Sequence, residues 1–62
     1  MRLCSSCLEL RNSDGRSIRM ILDSPGYDNP VSRYLLNISI LDILEKQYGC
    51  SNCINVMKRA NA

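Results

Sequence analysis

The chain has 62 residues, 45% of them hydrophobic, with four Cys and no His, Trp or Phe. That length allows one small domain, read as spanning residues 1–62, and excludes most self-contained enzymes, whose sites need a supporting shell that so short a chain seldom builds. No apolar run approaches the eighteen residues of a membrane span, and eight Lys and Arg against six Asp and Glu leave a formal charge of only +2.

Chains below about 70–80 residues bury too little apolar surface to offset the entropy of ordering them, so a disulfide, a metal or a partner must close the fold. The cysteines supply a candidate. They fall as Cys4-Ser5-Ser6-Cys7 and Cys50-Ser51-Asn52-Cys53, two C-x2-C pairs separated by 42 residues. Each pair can aim two thiolates at one tetrahedral point, and together they make a closed Cys4 site for one Zn2+ per chain. A closed set keeps no water-occupied position, which argues for a structural ion and against hydrolytic chemistry. Two other uses stay open: a disulfide framework, for which four cysteines allow three connectivities, and redox or iron–sulfur chemistry. In the redox version, oxidation ejects zinc and melts the domain. Because the N-terminus carries no hydrophobic signal segment, the expected location is intracellular, cytoplasm or nucleus. A zinc ion on four thiolates carries a net charge of −2, bringing the loaded chain near neutral.

After the first pair, Leu8 and Leu10 alternate with Glu9 and Arg11, Asn12-Ser13-Asp14-Gly15 supplies turn residues, and Ile18, Met20 and Leu22 alternate again. The pattern predicts a β-hairpin, with a short helix from Ser17 to Asp23 as its rival. Ser24-Pro25-Gly26 is a turn. Asn29-Pro30 predicts a helix start, followed by apolar residues at helical spacing through Tyr48, with Gly49 placed to end the helix. As one straight helix, this segment carries two apolar faces about 140° apart at 100° per residue. It therefore breaks near residues 37–39, where Ser39 and Asp42 resemble a capping box, or it turns a face to another molecule. Val31, Tyr34, Leu35, Ile38, Ile40, Leu41 and Leu44 are the expected interaction face. After Cys53, a short helix ends in Lys58 and Arg59, which suit its negative pole.

The expected architecture is thus a small α+β zinc-binding domain of treble-clef-like form: an N-terminal zinc knuckle and β-hairpin, then two or three short helices. There is no phosphate-binding Gly-rich loop. Asp23, Asp28, Asp42 and Glu45 read as caps or solvated groups, Met20 and Met57 as core fillers, and the glycosylation triplet 37–39 as incidental. Arg11, Arg16, Arg19, Lys58 and Arg59 are the candidate nucleic-acid contacts, although no aromatic is interleaved to stack bases.

Cys4-x2-Cys7-Leu8, the spacing of about forty residues, Cys50-x2-Cys53 before a helix, and the apolar stretch 36–44 resemble the zinc-finger-associated domain at the N-terminus of many insect transcription factors. The resemblance implies a homodimerisation module with Cys4, Cys7, Cys50 and Cys53 as ligands and the helices around residues 31–44 near the dimer contact. The combined expectation is a non-enzymatic, zinc-stabilised protein-interaction module in transcription regulation, acting by dimerisation or as an adaptor or inhibitor of a larger machine. Its partner is a protein or a second copy, with no membrane and no small-molecule substrate. A nucleic-acid-binding zinc protein is the alternative.

Overall fold

A computed structural model describes residues 2–61, so the first and last residues of the expected 1–62 domain lie outside the description. The elements are helix α1 (Ser5–Leu8), helix α2 (Ile18–Leu22), a 3-10 turn (Pro25–Asp28), helix α3 (Pro30–Lys46) and helix α4 (Ser51–Ala60). Among the described residues there is no strand, which corrects the α+β, treble-clef-like expectation. All that remains of the predicted hairpin is one antiparallel bridge between Arg11 and Ser17.

The turn itself stands where it was expected. Asn12 Oδ1 accepts from the N–H groups of Asp14 and Arg16 at 3.0 and 2.9 Å, and Gly15 takes a left-handed φ of 81°. The chain then leaves the ladder because Ser17 Oγ accepts from Met20 N–H at 3.2 Å and caps α2. Core demand explains the choice. A strand would bury Ile18, Met20 and Leu22 on one face and turn Ile21 outward. The helix instead buries Ile18 and Ile21 and leaves Met20 exposed, contrary to the core-filler reading.

Asn29 and Pro30 open α3 as expected, with Asn29 Oδ1 accepting from Val31 and Ser32 N–H at 2.9 and 3.1 Å. The helix then runs unbroken for 17 residues, past the predicted break and in place of two short helices. Asn37 explains the continuity. Its Oδ1 accepts the Tyr27 hydroxyl at 2.7 Å, so this buried amide is satisfied across the fold and does not compete for the helix backbone. Burial also removes Asn37 from any modifying enzyme. Arg33 adds a strut: Nε donates to the Tyr27 carbonyl at 2.9 Å, and the guanidinium stacks over the Tyr27 ring, 5.7 Å from its centroid.

α3 ends at Lys46, two residues before the expected Tyr48. Tyr48, not Gly49, takes the left-handed conformation, at φ 57°, and Gly49 N–H reaches back to the Leu44 carbonyl at 2.7 Å in a Schellman closure. Gly49 is there for space, because a Cβ would lie 2.6 Å from Leu44 Cδ2 and 3.2 Å from its Cβ.

The core comprises Cys7, Ile18, Ile21, Ile40, Ile43, Leu44, Cys53 and Met57, with Leu3, Leu8, Leu10, Leu22, Tyr27, Leu36, Leu41 and Ile54 packed around it. Two of those eight buried residues are cysteines of the paired motif. Aliphatic packing and the sulfur cluster therefore form one continuous interior. No described helix is long and apolar enough to cross a membrane.

Candidate metal centre

Each C-x2-C pair sits at the start of a helix with the same backbone arrangement, although only Cys50 accepts a capping hydrogen bond at its sulfur, from Cys53 N–H. Cys4 caps α1 at φ −69°, ψ 156°, and Cys50 caps α4 at φ −64°, ψ 147°. The first helical bond runs from Leu8 N–H to the Cys4 carbonyl at 3.0 Å in one, and from Ile54 N–H to the Cys50 carbonyl at 3.1 Å in the other. Cys7 and Cys53 are each the third residue of their helix, one turn from the cap and on the same side as its thiol. The Ser-Ser and Ser-Asn spacers are exposed in the first turn.

The Schellman closure of α3 delivers the second pair to the first. All four Sγ atoms lie within 4.8 Å of one another, and this cysteine group could hold a metal ion. Cys50 Sγ lies 3.8 Å from both Cys4 Sγ and Cys7 Sγ. Four sulfurs each about 2.3 Å from one zinc ion stand about 3.8 Å apart in a regular tetrahedron, so the donor set fits the ion in kind and these two separations match its edge. The cysteines are free.

Main-chain donors complete the cluster. Cys4 N–H donates to Cys53 Sγ at 3.3 Å, and Cys50 N–H donates to Cys7 Sγ at 3.4 Å, so each cap donates to the buried sulfur of the other pair. Cys53 N–H donates to Cys50 Sγ at 3.4 Å. Such donors favour sulfur in its charged form. Without an ion the thiols diverge. The nearby Cys7 main-chain N–H, with the neighbouring thiols, brings Cys4 down to about 7. Burial pushes Cys53 up to about 12 and raises Cys7 as well. The two buried sulfurs therefore stay protonated until a cation replaces the protons.

Gln47 and Tyr48 are the neighbours that sequence reasoning missed. Gln47 Nε2 donates to the Arg11 carbonyl, tying the end of α3 to the loop after α1. Tyr48 is 94% exposed beside the cluster. The helix-breaking Gly49 was the visible signal nearby, but which residue takes positive φ depends on the Gly49–Leu44 contact.

The other predicted residues divide. Val31, Tyr34, Leu35 and Ile38 stand exposed along one stripe of α3. Ile40 and Leu44 are wholly buried, because their side of α3 covers the core, and Leu41 is half-buried against it. These three do not belong to an open face. Of the basic residues, Arg19 pairs with Glu9 at 2.9 Å, and Arg11 donates to the Gly15 carbonyl. Arg16 is exposed in the loop, while Lys58 and Arg59 occupy the last turn of α4, a different element.

No family model, curated protein or solved structure matches the chain.

Proposed function

We propose that the chain is a non-enzymatic, zinc-stabilised protein-interaction module. One Zn2+ is held by Cys4, Cys7, Cys50 and Cys53, and the exposed stripe of α3 is the docking face. The observation that carries the reading is the 3.8 Å spacing of Cys50 Sγ from two other sulfurs, the edge of a zinc–sulfur tetrahedron and far from the about 2.05 Å of a disulfide. A closed set of four thiolates leaves no position for substrate, which supports a structural ion.

The docking face is supported by Val31 and Leu35, 72% and 59% exposed, with Tyr34 and Ile38 at the spacing of one helical stripe. A protein partner or a second copy of the chain covers it, in transcription regulation in the nucleus or cytoplasm. That setting rests on the resemblance of the paired cysteines and the 36–44 stretch to the zinc-finger-associated domain. Native mass spectrometry and sedimentation test the reading together. One zinc per chain, with association weakened by Leu35→Glu, is the expected result. A chain that takes no zinc, or a zinc-loaded chain with no association that Leu35→Glu alters, overturns the corresponding half.

A further inference from the structure

The four sulfurs are not equivalent. Cys7 and Cys53 are buried, and each accepts an N–H from the opposite pair, whereas Cys4 and Cys50 are exposed. The exposed two lie 3.8 Å apart. Together with Ser6 and the almost wholly buried Cys7, they border an open cavity of about 370 Å³ that Leu10, Gln47, Tyr48 and Gly49 also line, so a small solute reaches the two exposed sulfurs directly.

We propose that Cys4 and Cys50 form an oxidative modification site, at which a hydroperoxide joins them in a disulfide and discharges the bound ion. The discharge rests on the zinc reading above; the pairing rests on the fold alone. In the first step the Cys4 sulfur attacks the terminal peroxide oxygen. The O–O bond breaks, hydroxide or alkoxide leaves and takes a proton from solvent, or from the thiol when no ion is bound, to become water or an alcohol, and Cys4 becomes a sulfenic acid. In the second step Cys50 Sγ attacks that sulfur, the S–O bond breaks, and hydroxide leaves as water with the proton of Cys50 or of solvent. Two sulfurs together lose two electrons, and the peroxide gains them. Cys7 and Cys53 alone then face the ion, too few ligands to hold it.

Exposure selects this pair. Cys7 Sγ is equally close to Cys50 Sγ, but Cys7 is only 3% exposed, so the oxidant meets Cys4 first. A bond within either C-x2-C pair would draw a buried sulfur away from the N–H that holds it. The Cys4–Cys50 disulfide also closes the same long segment that the ion closes, so the oxidised chain keeps its topological constraint.

The test treats the zinc-loaded full chain with hydrogen peroxide and reads released zinc with a chromogenic chelator. Remaining thiols are then capped with N-ethylmaleimide, and the chain is digested with trypsin and mapped without reduction. Cleavage places Cys4 and Cys7 in peptide 3–11 and Cys50 and Cys53 in peptide 47–58. The expected product is a 3–11/47–58 cross-link with the label on Cys7 and Cys53, loss of the ion in step with it, and restoration by dithiothreitol and zinc. Disulfides within either peptide, a cross-link through Cys7 or Cys53, or thiols that survive peroxide sufficient to oxidise glutathione would each overturn the proposal. Should the untreated chain carry no zinc, the zinc reading fails, and the same map still decides the pairing.

Discussion

The main-chain N–H of Cys4 donates to Sγ of Cys53 across 49 positions of sequence, and the N–H of Cys50 returns the contact to Cys7 Sγ. This reciprocal pair joins the start of α1 to the start of α4 through sulfur, and the aliphatic core packs directly beneath it. Cys53 and Met57, one turn apart on α4, both have 0% exposure. The interior is therefore part sulfur cluster and part hydrocarbon, and neither half is complete alone.

Substituting the buried sulfur of either pair should remove metal binding and folding together. Cys53→Ser deletes one ligand and leaves a hydroxyl in an apolar interior. Structural zinc in finger peptides contributes about 10–16 kcal/mol, comparable to or above the total stability of most domains. Circular dichroism with added zinc should show loss of the cooperative melt, and Cys7→Ser should behave alike.

Adjacent residues at the end of α3 should respond with opposite signs. Tyr48 holds a left-handed conformation that costs an L-residue about 1–2 kcal/mol, so Tyr48→Gly should raise the stability of the zinc-loaded chain by about 1 kcal/mol. Gly49→Ala forces a Cβ against Leu44 and should cost about 1–3 kcal/mol. Thermal melts of the two loaded variants check both signs.

The Tyr27–Asn37 hydrogen bond allows a double-mutant cycle. Tyr27→Phe strands the buried Asn37 amide and should cost about 1–3 kcal/mol. Adding Asn37→Leu should recover part of that loss, because the unpaired polar group is gone. Urea titrations of the loaded single and double variants measure the coupling.

The direction of the pH dependence follows from the thiols. Burial holds Cys7 and Cys53 protonated at neutral pH, and the ion must displace both protons, so loading should release at least two protons per ion. Bound metal depresses the thiol pKa in the folded chain below its unfolded value of about 8.5. That contribution is present above the unfolded value and fades as pH falls, so the melting temperature of the loaded chain should rise between about pH 5 and about pH 8. Calorimetry in buffers of different ionisation enthalpy counts the protons. A flat profile would contradict the ligand assignment.

Local chemistry made some features legible in the sequence. The C-x2-C spacing needs only one helical turn to bring two thiols together, and Asn29-Pro30 carries its capping signal in two adjacent residues. The strand pattern misleads because α2 is only five residues long. Over so short a span, Ile18, Met20 and Leu22 satisfy a strand pattern, while Ile18, Ile21 and Leu22 satisfy a helix pattern; only the packing of Ile21 distinguishes them. The continuity of α3 depends on a hydroxyl ten residues away, which no window centred on Asn37 contains. Likewise, the buried state of Ile40 and Leu44 is a property of how α3 lies on the core, not of their spacing.

Everything turns on whether a bound ion closes the segment between the two cysteine pairs. The most direct measurement is an NMR amide spectrum of the reduced chain with one equivalent of zinc and again in excess EDTA. The expected result is a dispersed spectrum with zinc that collapses to the narrow range of an unfolded chain when EDTA removes it, and returns on reloading. A dispersed, cooperatively melting spectrum in EDTA with all four thiols free would contradict it.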